Sequence, residues 1–252
     1  NKNNNFIKYK KIKNFKLKLL KPNFKILPKK IDFIIICAAS TNMHNKKIKE
    51  INYLSIKKIT NYAKNAGVKK VVFMSSILVN DYLKNINDIT KKYYNYAKYK
   101  YFAENFLLNS EFLTSYIIRL PGVISGESSK PFLSTVANKL LKNATIKIYN
   151  QNFRFNNLIH PSDLTKLIFR IFKSNEHKNI TMQLASRWPM KLINIINFLR
   201  KNLNSTSKII NFRTIKKSET INFKFAKKKF NYKPLSVKQV LKLYLYEIKK
   251  DH

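Results

Sequence analysis

The 252-residue chain holds 51 Lys and Arg against 12 Asp and Glu, a formal net charge of +39, and its 44% hydrophobic residues allow a sizeable core and exclude wholesale disorder. Its longest apolar runs, residues 34–39 and 71–74, are far shorter than the ~20 residues of a membrane-spanning helix. They read as buried strands, and no membrane partner is expected. The single cysteine, Cys37, excludes an internal disulfide and a cysteine zinc cluster; with no apolar leader after the basic N-terminus, a reducing, cytoplasmic setting is expected.

The charge admits two readings. A strongly basic chain normally points to nucleic acid or an anionic surface. Here the lysines run along the whole length and accompany excess Asn, Ile, Phe and Tyr with only 3 Gly, the usage of an AT-rich coding sequence. Four scattered histidines and few carboxylates supply no zinc or calcium ligand spacing, so no metal is expected.

Residues 1–30 are rich in Lys and Asn, with a weak strand-like patch at 15–20. From residue 31 the pattern becomes regular: a strand at 32–39, a helix at 46–66, a strand at 70–75, a helix at 93–108 and a strand at 115–120. Strands alternating with helices of this length imply βαβ crossovers and a parallel sheet covered on both faces. In the first helix Ile48, Ile51, Ile56, Ile59 and Ala63 recur on one side, and Gly67 offers a C-terminal cap. Beyond Gly126 the elements are mixed. Helices are expected at 132–141, 162–172 and 190–203, short strands at 146–148 and 156–159, and an amphipathic tail at 236–248 striped by Val237, Val240, Leu241, Tyr244 and Leu245.

A Tyr-x-x-x-Lys pair places two side chains on one helical face, where an ammonium favours ionisation of a phenol whose unperturbed pKa is ~10. The bare spacing occurs at Tyr9/Lys13, Tyr53/Lys57, Tyr94/Lys98, Tyr96/Lys100 and Tyr246/Lys250, so spacing alone selects nothing. Context selects. In YAKYKYFAENFLL (96–108) only Lys100 is followed three and four positions later by Ala103 and Glu104.

That segment resembles the catalytic helix of the extended short-chain dehydrogenase/reductases, the NAD-dependent epimerase/dehydratase family. Three further segments resemble it in the same order: DFIIICAAS (32–40), GVKKVVFMSSILV (67–79) and YIIRLPGVISG (116–126), with fainter likeness in FNNLIHPSDL (155–164) and YKPLSVKQVL (232–241). The resemblance implies Ser76, Tyr96 and Lys100 as the proton-transfer group, Ser76 being favoured over its neighbour Ser75 by the distance to Val79. It implies NAD or NADP held by Ala38, Ala39, Tyr96, Lys100 and Pro121, and a sugar or nucleotide-sugar held by Ser76, Gly122, Asn156 and His160. A homodimer through the helix of Tyr96 and Lys100 is expected as well. Asn52 matches a family asparagine in the helix before the serine strand, although a lone helical asparagine ordinarily reads as a surface residue. His160 reads as the end of a strand, with Ser162 or Asp163 capping the next helix.

The chain departs from the family in three places. The glycine-rich loop for the dinucleotide pyrophosphate is missing, since none of Gly67, Gly122 and Gly126 can serve. Either about 30 residues of a first βαβ unit are truncated at the N-terminus or the chain is a degenerate relative that lost cofactor binding. The unbroken Ser76, Tyr96 and Lys100 set favours truncation, and the chain alone is expected to be inactive. An arginine that often holds the nucleotide diphosphate aligns with Asn156, two residues from Arg154, and the asparagine common after the third strand is Gly122.

The fold expected is α/β: a Rossmann-like doubly wound parallel sheet lacking its first βα unit in residues 1–126, with a smaller mixed C-terminal substrate lobe in 127–252 interleaved with the end of the sheet. The function expected is an NAD(P)-dependent epimerase, dehydratase or reductase of a sugar or nucleotide-sugar. The alternative is a non-catalytic scaffold or RNA-binding relative that uses its lysines on phosphates.

Overall fold

Strand β1 (Phe33–Ile36) starts the sheet, in a computed structural model that describes residues 12–41, 47–84, 91–128, 131–213 and 219–250. Helix α1 (Ser55–Asn65) leads to β2 (Lys70–Ser76), a short α2 (Leu78–Leu83), the long α3 (Lys91–Leu108) and β3 (Thr114–Leu120). Then follow β4 (Gly122–Val123), α4 (Phe132–Leu141), β5 (Ile146–Tyr149), β6 (Arg154–Phe155), β7 (Leu158–Ile159) and α5 (Pro161–Lys173). The chain ends through β8 (Ile180–Gln183), β9 (Met190–Lys191), α6 (Leu192–Asn202), β10 (Ile209–Phe212), α7 (Lys224–Phe230) and α8 (Val237–Lys250).

The main sheet has the order β1-β2-β3-β8, with every neighbouring pair parallel. Alternation along the strands feeds two cores. Val71 and Phe73 of β2 and Ile117 of β3 pack against Ile56, Ala63, Ala103 and Leu107 of α1 and α3. Val72, Met74, Tyr116 and Ile118 pack against α5 and α7 on the other face. Burial on both faces is why these strands read as continuous apolar runs. A third core joins β5 to α4, α6 and α8, and all five stripe residues named for the tail are buried in it.

With three glycines, the chain ends helices in another way. Asn143, Asn204 and Asn231, which follow α4, α6 and α7, take positive φ angles of 51°, 50° and 48°. Asparagine tolerates this left-handed region better than other side chains, so the abundant Asn does what glycine does at most helix ends. Gly67, at φ 71°, is the exception that ends α1.

Several elements differ from the sequence reading. Residues 12–18 form no strand, and β1 stops at Ile36, because its pairing with β2 ends at Phe73. The expected start at Lys46 lies outside the described residues; the helical run is seen from Ile48 and passes through a π turn, Glu50–Leu54, before α1. Of the strand expected at 156–159 only β7, Leu158–Ile159, is formed, and a separate strand, β6, ends at Phe155 before the buried Asn156. Helices α2 and α7 and strands β4, β6, β8, β9 and β10 are additional to the sequence reading, β9 taking the first two residues of the helix expected at 190–203. No helix among the described residues is long and apolar enough to cross a membrane.

Candidate active site

Strand β2 ends at the carboxyl edge of the sheet with two serines that have different partners. Ser75 donates its hydroxyl to the carboxylate of Glu104. Ser76 accepts the Leu78 amide at 3.3 Å, and its side chain is near enough to Tyr96 to favour ionisation of the phenol. Ser76 is 8% exposed, Tyr96 9% and Lys100 1%. Tyr94 is instead 44% exposed and packs edge-on against Tyr82 at 5.4 Å. The helical face that buries Tyr96 buries Lys100 one turn on, and the competing Tyr94/Lys98 pair lies on the outer side, where Lys98 sits over the Tyr94 ring.

Lys100 donates to the carbonyl of Met74 at 2.7 Å and stands 4.4 Å from the centre of the Phe73 ring. Burial lowers its pKa to about 8, against the opposing pull of Glu104 and Cys37. Burial also raises the Tyr96 phenol above its ordinary value, and the neighbouring Ser76 side chain offsets part of that rise. The sequence reading had Lys100 lowering the Tyr96 value. In this fold desolvation is stronger, and the ammonium is engaged with a backbone carbonyl.

The residues expected at the cofactor lie at the same edge. Ala38 and Ala39 follow β1, half-buried and exposed, and Pro121 is buried between β3 and β4. The loop after β1 is tied down by Asn52, which is fully buried, accepts from the Ser40 amide at 2.8 Å and donates to the Ser40 carbonyl at 2.9 Å. The surface reading of Asn52 is thus overturned: its amide replaces the strand pairing that β1 has lost by that point.

Two expected substrate residues are used inside the protein. Asn156 is buried and clamps Ile221, accepting from its N–H and donating to its carbonyl, both at 2.9 Å. His160, not Ser162 or Asp163, caps α5: its Nδ1 accepts from the Ser162 amide at 3.2 Å, and its Nε2 meets Glu247 at 2.9 Å. Neither lines the cleft described next. Gly122 pairs with Leu158, and a side chain there would meet the Asn157 carbonyl at 3.4 Å. Arg154 is exposed on β6.

Beside Ile77, the residue after Ser76, a cleft of about 1050 Å³ opens between the sheet edge and the residues of α4, β5 and β6. Asn80, Arg119 and Gln183 line one side and Phe132, Lys147 and Phe155 the other. Arg119 binds the buried Glu104 through Nε at 3.1 Å and Nη2 at 2.6 Å, and donates from Nη1 to Asn80 at 2.8 Å. Asn80 donates onward to Gln183 at 2.8 Å. This network was missed in the sequence, although one signal was present: Arg119 is a charge inside an otherwise buried strand, SYIIRL, and a buried charge needs a partner.

A family profile described as NAD(P)H-binding matches residues 21–148, just over half of the chain. The chain belongs to the NAD(P)H-binding family. No curated protein matches it in sequence. Among solved structures it is similar to RMD from Pseudomonas aeruginosa complexed with NADPH, at 16% identity and a TM-score of 0.77 over 94% of this chain and 89% of that one. It is also similar to UDP-glucuronic acid 4-epimerase from Bacillus cereus, at 13% identity and a TM-score of 0.77 over 93% and 81%. A UDP-glucose 4-epimerase from Thermotoga maritima aligns at 14% identity and a TM-score of 0.70 over 87% and 78%. The expected Rossmann-like α/β fold is the fold of this NAD(P)H-binding chain.

The dinucleotide can be tested against the residues described. At the nicotinamide end they fit: Ala38 and Ala39 carry no side chain beyond Cβ, and the Lys100 ammonium, with one of its three N–H groups on Met74, keeps two for a ribose hydroxyl. At the pyrophosphate end none of the three glycines forms a phosphate turn. Gly67 caps α1 at the opposite edge, Gly122 pairs in β4, and the Gly126 amide donates to Glu247 at 2.8 Å.

Proposed function

We propose that this chain carries the proton-transfer site of an NAD(P)-dependent epimerase, dehydratase or reductase acting on a sugar or nucleotide-sugar. The observation that carries this reading is the joint burial of Ser76, Tyr96 and Lys100 at the carboxyl edge of the sheet, where parallel sheets take their ligands. Tyr96 takes or gives the proton at a sugar hydroxyl. Ser76 holds the same oxygen by a hydrogen bond, and Lys100 orients the cofactor ribose. NAD or NADP, when bound, supplies the hydride acceptor or donor.

The cleft beside Ile77 is a fitting place for the substrate. It combines aromatic walls with Lys147 and Lys224, which suits a ring and an anionic group on one ligand. Incubating the whole protein with NAD or NADP and a panel of UDP-sugars, and following the sugar by NMR, tests the reading. Conversion of at least one sugar is expected; none across the panel with both dinucleotides would count against it.

We also infer a homodimer through α3. The helix is aromatic on its outer side, where Tyr53 and Tyr99 pack on Phe102 at 5.8 and 6.1 Å. Light scattering should give twice the chain mass. The scaffold or RNA-binding alternative has less support, because exposed lysines are spread over separate helices, Lys57 and Lys58 on α1 and Lys227, Lys228 and Lys229 on α7 among them.

A further inference from the structure

Hydrogen-bond polarity runs in one direction through the network at the cleft. Glu104 can only accept and Arg119 can only donate. Arg119 uses Nε and Nη2 on Glu104, so Asn80 must face Nη1 with its amide oxygen. Asn80 is left with its NH₂ group for Gln183, whose amide oxygen accepts it. The two amides, whose oxygen and nitrogen are otherwise hard to tell apart, are therefore fixed by the carboxylate at the far end. Gln183, its amide oxygen turned to Asn80, directs Nε2 with its two N–H donors away from Asn80, and it lines the cleft.

The sheet register supports this arrangement. Ser75, Arg119 and Gln183 are paired neighbours in one row across β2, β3 and β8, close to the carboxyl edge. The row begins beside Ser76 and ends in the cleft. A neutralised Arg119–Glu104 pair is a poor anion receptor, since its charges are spent on each other. Its use is to set the direction of the amides beyond it.

We propose that Gln183 is a specificity-determining residue of the cleft, giving N–H donors to an oxygen acceptor of the bound ligand, and that Asn80, Arg119 and Glu104 are positioning residues that lock this polarity. The ligand class is an oxygen-rich anion, here a glycosyl nucleotide, and this part rests on the nucleotide-sugar reading above. A ligand offering a hydrogen-bond donor at this point is disfavoured.

Calorimetric titration of UDP-glucose into the 252-residue chain tests the proposal with two near-isosteric variants. Gln183→Glu exchanges the donors for oxygens, and at least a tenfold loss of affinity is expected. Asn80→Asp leaves Gln183 in place, but an aspartate has no N–H to give. Gln183 must then turn its NH₂ toward residue 80 and its carbonyl toward the ligand, so a similar loss is expected while circular dichroism stays unchanged. If the unsubstituted chain binds and Asn80→Asp binds equally well, the relay is wrong and the nucleotide-sugar reading stands. If the unsubstituted chain binds neither UDP-glucose nor any other UDP-sugar of the panel, the nucleotide-sugar reading falls and this inference falls with it. If it binds another of them instead, the same two variants are titrated with that sugar and the same losses are expected.

Discussion

Lys100 donates to the carbonyl of Met74, two residues before Ser76, so the ammonium of α3 is fastened to the strand that ends in the candidate catalytic serine. Folding brings this charge into an almost solvent-free place, and its pKa falls to about 8. Between that value and the 10.5 of a free lysine, the unfolded chain binds a proton that the folded chain does not.

Stability should therefore depend on pH through this one group. The contribution is fully present above the unfolded pKa and is lost as pH falls through about 8. We predict that urea stability of the wild-type chain relative to Lys100→Met rises by roughly 2 kcal/mol between pH 8 and 9.5. A difference independent of pH over that window would mean that Lys100 is not buried as described.

Asn52 holds the loop after β1 through both polar groups of Ser40. Asn52→Ala leaves a half-buried N–H and carbonyl of Ser40 without their partner, for which a loss of about 1–2 kcal/mol is expected. Hydrogen exchange locates the effect: the Ser40 amide should lose protection while the amides of β2 keep theirs. Unchanged exchange at Ser40 would show that the loop is held by something else.

Much of this arrangement was legible in the sequence, for local reasons. The Tyr96/Lys100 register could be chosen because Ala103 and Glu104 continue the same buried face, and β2 because its apolar run ends in two serines. Side chains that close on distant backbone were not legible. Asn52 on Ser40 and Asn156 on Ile221 leave no periodic trace, and both were read as something other than clamps. Strand β8 is four residues, ITMQ, and gains its place only by pairing with β3. Glu104 was noticed as a motif residue, yet its partner Arg119 lies 15 positions on, and only the fold joins them.

The 252-residue chain by itself should bind a dinucleotide poorly. Most affinity for such ligands comes from a pyrophosphate on backbone amides at a glycine-rich turn, and none of the three glycines forms one. Calorimetric titration with NAD and NADP should detect no micromolar binding. Micromolar affinity would place a phosphate site in residues 1–30.

The most direct measurement is turnover of a nucleotide-sugar by the whole protein with Tyr96→Phe or Tyr94→Phe, together with dinucleotide affinity. The account predicts that Tyr96→Phe lowers turnover by about 10²- to 10⁴-fold, the range of general acid–base catalysis, because only the hydroxyl moves the proton. Dinucleotide affinity should stay unchanged, since the ring still packs. Tyr94→Phe should turn over at the normal rate, as Tyr94 lies on the exposed side against Tyr82. A Tyr96→Phe protein with an unimpaired rate, or a Tyr94→Phe protein that loses it, would contradict the account.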